Sequence, residues 1–238
     1  MVARDPIVDL RRRLGREPRT QAKVRSIVRA WWSDHGFAEH PASVGKRVAL
    51  ALLECRALED KLAAIIVLTE LLGDQLRTSD LPGFARLFAA GHLEDPVVID
   101  LFAVKVLGTL LDREAGRAEA IRALTAWRTA ETCGQRRAAC VAFTRLAPRG
   151  DQVPGLTEAI LVVCATVVWS HERLDQTAVG WVLRELSRAQ RVSVEAFVRR
   201  YARLMSKECA RQAVGTLPAA SRTELMIHHR RATTIRRK

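Results

Sequence analysis

The stretch RVALALLECRALEDKLAAIIVLTELLG, residues 47–73, sets its apolar side chains three and four positions apart, the repeat of an α-helix with one buried stripe. The pattern recurs along most of the chain and is built from Ala, Leu, Arg and Glu, all strong helix formers. Strand signals are sparse beside it. β-branched runs are short, aromatic residues make up 5% of the chain, and no Asn-Gly or Asp-Gly pair is present to close a hairpin. The expected fold class is all-α.

Proline and glycine punctuate the pattern at Pro41, Gly73, Pro82 with Gly83, Pro96, Gly116, Gly134, Pro148 with Gly150, Pro154 with Gly155, and Pro218. The segments between them predict about ten helices of roughly 12 to 18 residues, joined by brief turns. A helix pair recurring at roughly 35 to 45 residues is the signature of a HEAT-like helical-repeat solenoid; a globular bundle is the alternative. In a solenoid the second helices of successive pairs line a concave face wide enough for a duplex, and here that face is expected to be basic. One repeat domain over residues 1–217, followed by a basic C-terminal tail over 218–238, is the domain expectation.

A chain of 238 residues with 48% hydrophobic content buries a substantial core and is not disordered throughout. Its 39 Lys and Arg outnumber 26 Asp and Glu, giving a net charge of +13, and such an excess seeks a polyanion. The excess is local. Residues 4–29 hold nine basic and three acidic side chains, 171–215 nine and five, and 216–238 six and one, whereas 30–170 hold 15 and 17. An anion is therefore met mainly by the ends and the last third. Five cysteines, an odd number with no CxxC pair and no metal-ligand spacing to the histidines, fit a reducing cytoplasm, and neither a metal nor a cofactor is expected. MVARDPIVDLRRRLG at the N-terminus lacks the apolar core of a secretion signal, and AILVVCATVVW, residues 159–169, is too short to span a bilayer. These readings describe a soluble, cytoplasmic, monomeric protein without a membrane partner.

Three residues break the apolar rhythm: Asp100 in VVIDLFAVKVLG, Arg137 in GQRRAACVAF and Trp181 in QTAVGWVLRELS. They fall about 40 residues apart, one per expected repeat, which sets equivalent positions of neighbouring repeats on one face. Asp100 is the most demanding, because a buried carboxylate without a partner costs several kcal/mol. The residues alone leave two roles open for it: a structural acid, paired with Lys105 or Arg137 or capping a turn behind Pro96, or a functional carboxylate. Taken singly, Trp181 reads as core packing and Arg137 as a solvated neighbour of Arg136. Trp31, Trp32, Trp127 and Trp169 read as core or inter-repeat packing, with contact to DNA as a second reading of Trp32.

The segments VVIDLFAVKVLG, RRAACVAF and QTAVGWVLRELSR resemble the three signature helices of the AlkD-type DNA alkylation repair glycosylases, which are built from HEAT-like repeats. CRALEDKLAAIIVLTELL is similar to an earlier helix of that family and LMSKECARQAV to the closing one, so the resemblance covers roughly residues 25–215. It implies excision of N3- or N7-alkylated purines from double-stranded DNA without conventional base flipping. It also implies roles: Asp100 as the catalytic carboxylate, Arg137 as a phosphate or carboxylate partner, and Trp181 as an aromatic face against the deoxyribose. The chemistry suits these residue types. An N3- or N7-alkylated purine is cationic and leaves as a neutral base without a general acid, so positive charge develops on the sugar, where a carboxylate stabilises it and orients water. An indole face attracts the same charge.

The family's WDxVD pattern, ending in the catalytic acid, would put a Trp and a second Asp where this chain has Pro96 and Val97. That departure removes one aromatic wall, which either widens the site for bulky adducts or points to the alternative reading, a non-catalytic HEAT-repeat protein that binds damaged or distorted DNA. A third reading is a protein-binding helical solenoid with a basic surface. Candidate clamps on the DNA backbone are Arg184, Arg188, Arg203 and Arg211, with Lys105 and Arg145 as second choices.

Overall fold

Helices form wherever the apolar stripe runs, and no strand occurs among the described residues, 5–15 and 20–234, of the computed structural model. The chain divides into two compact units, Met1–Thr109 and Leu110–Lys238. The first carries α1 (Pro6–Leu14), α2 (Gln21–Asp34), α3 (Ala42–Glu54), α4 (Leu58–Ile66), α5 (Leu81–Ala89) and α6 (Pro96–Phe102). The short α7 (Gly108–Asp112) follows at the boundary. In the second unit come α8 (Arg117–Ala126), α9 (Cys133–Val141), α10 (Leu156–Val167), α11 (Arg173–Leu186), α12 (Arg191–Tyr201), α13 (Lys207–Ala213) and α14 (Ala219–Thr234).

Within each unit, alternate helices pack side by side. α2, α4 and α6 make one row of the first unit, with α3 on α5 beside it; α9, α11 and α13 make the main row of the second, flanked by α8 with α10 and by α12 with α14. Packing on the next helix and the next but one is the pattern of a helical repeat.

The fourteen α-helices among the described residues are more numerous and shorter than the punctuation predicts, because several end without Pro or Gly. α3 stops at Cys55, whose ψ of 152° leaves the helix. The reason lies elsewhere in the chain. Lys61, 9% exposed, donates from Nζ to the carbonyl of Leu53 at 2.6 Å and to that of His92 at 2.5 Å. One ammonium thus satisfies the frayed end of α3 and holds the turn ahead of α6. Burial pushes the Lys61 pKa down, against the opposing pull of Cys55 and Asp60.

Two glycines set how closely helices approach. A Cβ on Gly45 of α3 would lie 2.5 Å from the Trp32 ring, and one on Gly180 of α11 would lie 2.8 Å from the Cys209 carbonyl oxygen of α13. Trp32 is accordingly a core residue, 8% exposed and stacked on Phe37 at 4.7 Å between centroids, which agrees with the packing reading and not with its second reading as a DNA contact. Trp31 and Trp127 are buried as expected, whereas Trp169, just past α10, is 63% exposed. Residues 219–234, expected within a basic tail, form α14 instead. Leu225 and His229, four apart, are buried, and the His229 ring nitrogen Nε2 meets the Met205 carbonyl at 2.9 Å; charge dominates the composition there and hides that narrow buried face.

Gly180→Ala should cost about 1–3 kcal/mol, because the clashing atom is backbone and α13 must shift; urea denaturation measures it, and an unchanged midpoint would contradict the close approach. A second expectation concerns acid. Glu70 follows α4 and accepts from Arg25 of α2 at 2.6 Å and Arg29 at 2.8 Å. Burial raises its pKa, yet the two guanidiniums outweigh burial and leave it below its ordinary 4.5. A depressed carboxylate adds stability above its unfolded pKa and loses it as pH falls through the folded one. Stability should therefore decline below about pH 4.5, and Glu70→Gln should flatten that decline in urea titrations at several pH values.

Candidate functional site

α6 begins where Asp95 accepts at Oδ1 from the backbone N–H groups of Val97 at 2.8 Å and Val98 at 3.2 Å, with Pro96 at the first helical position. Its inner face is apolar: Val98, Ile99 and Phe102 are buried, and Phe102 meets Phe84 and Phe88 edge-on at 5.2 and 6.1 Å between centroids. Asp100 is on the other face. It lies four residues after Pro96, three after Val97 and four before Val104, and it is half-buried while Val97 is 71% exposed. The acid is therefore not locked in the core; it reaches solvent along an apolar strip. What misleads in the sequence is that the strip's exposed positions are themselves Pro and Val.

The turn after α6, Ala103–Leu107, is π-helical. A π turn inserts one extra residue and shifts the faces that follow it. Lys105 lies in it, exposed and without an ion pair among the described residues.

In the second unit, Thr132 caps α9 through its hydroxyl oxygen, which accepts from the Gln135 N–H at 3.3 Å. The two arginines that follow fasten α9 to the start of α11. Arg136 donates to Asp175 Oδ2 from Nε at 2.9 Å and Nη2 at 2.6 Å, and from Nη1 to the carbonyls of Ala130 and Glu131. Asp175 is fully buried. Arg137, 7% exposed, donates from Nη1 to the Leu174 carbonyl at 2.7 Å and to Thr177 Oγ1 at 2.9 Å. Its guanidinium is thus held in place against α11, not solvated like a surface charge.

Trp181 follows Thr177 by four residues, on the same stripe of α11 as Leu174 and Arg184. It is half-buried, whereas Gly180 and Val182 on either side are buried. Gly180 meets α13, so the next residue faces outward. Sequence reasoning missed Thr177 and the Arg136–Asp175 pair; the i, i+4 step from Thr177 to Trp181 is the signal that marks the first.

The proposed backbone clamps differ in how their charge is used. Glu185 takes Arg184 at 2.8 Å and Arg188 at 3.0 Å, and Arg145 pairs with Asp112 at 3.0 Å. Arg203 and Arg211 are exposed and make no ion pair among the described residues. Four cysteines offer no ready thiolate: burial first, then the neighbouring Asp175 carboxylate, lifts the Cys133 thiol to about 11, and burial raises Cys55, Cys164 and Cys209 as well. Among the described residues no group of three or more His, Cys, Asp or Glu side chains is arranged to hold a metal ion, and no helix is long and apolar enough to cross a membrane.

No individual curated protein matches the chain. The family model described as DNA alkylation repair enzyme matches it over residues 20–217, a span that takes in Asp100, Arg137, Trp181 and all six candidate clamps. The chain belongs to the DNA alkylation repair enzyme family.

Proposed function

We propose that this protein is a DNA glycosylase that releases N3- or N7-alkylated purines from double-stranded DNA. The observation that carries the reading is a carboxylate, Asp100, brought to solvent on an apolar helix face in a chain of the DNA alkylation repair enzyme family. An alkylated purine already bears a positive charge. Its bond to C1′ breaks with the electron pair leaving on the base, which departs neutral, and the charge passes to the sugar. Asp100 stabilises that sugar cation and orients the water that attacks C1′; the water's proton goes to the carboxylate or to solvent, and an abasic site remains. Trp181 supplies a π face to the same developing charge. Arg137, held by Leu174 and Thr177, supplies a fixed cation for a phosphate. Lys105, Arg145, Arg184, Arg188, Arg203 and Arg211 grip the backbone.

Pro96 and the exposed Val97 leave the approach to Asp100 without an aromatic wall, so the reading extends to bulky adducts. The same two residues favour a second reading, binding of damaged or distorted DNA without excision. Incubation with alkylated duplex followed by alkaline cleavage separates the two: strand breaks at purines support the glycosylase, and tight binding without breaks supports the binder. A panel of defined adducts, from methyl to bulky, then reports the substrate class.

Asp100→Asn should lower base release about a hundredfold, about 3 kcal/mol in the barrier, while duplex affinity holds; release at the unaltered rate would sink the assignment. Trp181→Ala should lower it about tenfold, with Trp181→Phe between the two, as a cation–π contribution of about 1–2 kcal/mol requires. In a double-mutant cycle the Asp100 and Trp181 effects should be non-additive if both act on one sugar.

A further inference from the structure

A cleft of about 520 Å³ in the second unit is lined by His171, Arg203, Ser206, Lys207 and, from α14, His229 and Thr233. Among the described residues no Asp or Glu lines it. Elsewhere in the unit carboxylates do meet arginines: Arg136 with Asp175, Arg145 with Asp112, Arg173 with Glu208, Arg191 with Glu195 and Arg199 with Glu224. Arg203 and Lys207 are exposed and meet no carboxylate among the described residues. Of the acids adjacent in sequence, Glu172 does not line the cleft, and Glu208 is bound by Arg173 through two bonds of 2.8 and 2.9 Å. Positive side chains gathered on one concavity repel one another, and an anion seated among them relieves that repulsion.

The walls are also fixed in advance. Gln176, 3% exposed, donates from Nε2 to the carbonyls of Val168, Ser170 and Leu204, and its Oε1 accepts from the Ser206 N–H at 2.8 Å. A single buried amide therefore ties together the segments that carry His171, Arg203 and Lys207. Ser206 Oγ accepts from the Cys209 N–H at 3.0 Å, which leaves its O–H to donate elsewhere. On the far side, the bond from His229 to Met205 holds α14 in place. A guanidinium fork, an ammonium and a hydroxyl donor held on a rigid frame, with no competing carboxylate, are the chemistry of an oxyanion site.

We propose that this cleft binds a phosphodiester of the DNA backbone, and that α14 is part of the DNA-binding surface. The inference rests on the glycosylase reading above and extends it beyond the family match, which ends at residue 217, before α14 begins.

The test uses the full chain and a defined undamaged duplex, followed by fluorescence anisotropy between about 50 and 200 mM salt. The Arg203→Gln, Lys207→Gln double variant should bind more weakly, with the slope of log affinity against log salt shallower by about 0.9, the value for one phosphate no longer neutralised. Thr233→Glu leaves every cation intact and sets a carboxylate against the cleft from α14; it should weaken binding about tenfold. An unchanged slope in the double variant, or wild-type affinity in Thr233→Glu, overturns the proposal even where the wild-type protein binds duplex and releases base. A wild-type protein that does not bind duplex overturns this proposal and the glycosylase reading together.

Discussion

Most α-helices among the described residues are too short to stand alone. The longest has 16 residues and the shortest five, and isolated helices below about 12–15 residues are marginal in water. Each must bury its stripe on neighbours, and the neighbours available are the next helix and the next but one. Rows of short helices follow from that constraint. So does the character of their packing: small residues where a ring or a backbone comes close, as at Gly45 and Gly180, and buried polar side chains where helix ends need partners, as at Lys61, Arg136 and Gln176. Such polar ties are costly when one partner is removed, since the other stays buried and unsatisfied.

This division of labour leaves one face of each row helix for other purposes. On α6 the residue before Asp100, Ile99, is fully buried; on α11 the residue before Trp181, Gly180, is buried against α13. Each outward residue is thus held by an inward neighbour, on a helix and not on a loop. Side chains carried this way have little room to drift, which a reaction sensitive to errors of about 1 Å requires.

The period of the apolar residues made the helical class legible, and the resemblance of three segments pointed to the family. Helix ends were harder to read because their causes lie far away in the chain. Nothing around Cys55 announces a stop; the residue that makes one possible, Lys61, also holds His92, 31 positions on. Adjacent pairs were ambiguous for the same reason. Arg136 and Arg137 look equivalent in sequence, yet the first takes the Asp175 carboxylate and the second the Leu174 carbonyl and the Thr177 hydroxyl, a division that only the neighbouring helix decides. Exposure was misjudged where apolar residues face solvent: Val97 and Trp169 look like core, and α14 like a tail, because composition does not tell which face a residue occupies.

Electrostatics helps to weigh the two readings of Asp100. A protein of net charge +13 that only gripped DNA would gain little from a half-buried carboxylate on α6, since such a group repels phosphates. Its apolar surroundings sharpen the point, because Pro96, Val97 and Val104 leave that strip of the helix weakly polar. A carboxylate in such a setting acts strongly on a cation brought close to it, more strongly than one surrounded by water. An alkylated nucleotide brings such a cation, and its reaction moves the positive charge onto the sugar. In that reading the acid stabilises charge that appears only as the bond breaks, and a protein that binds the duplex and does nothing further has no comparable use for it.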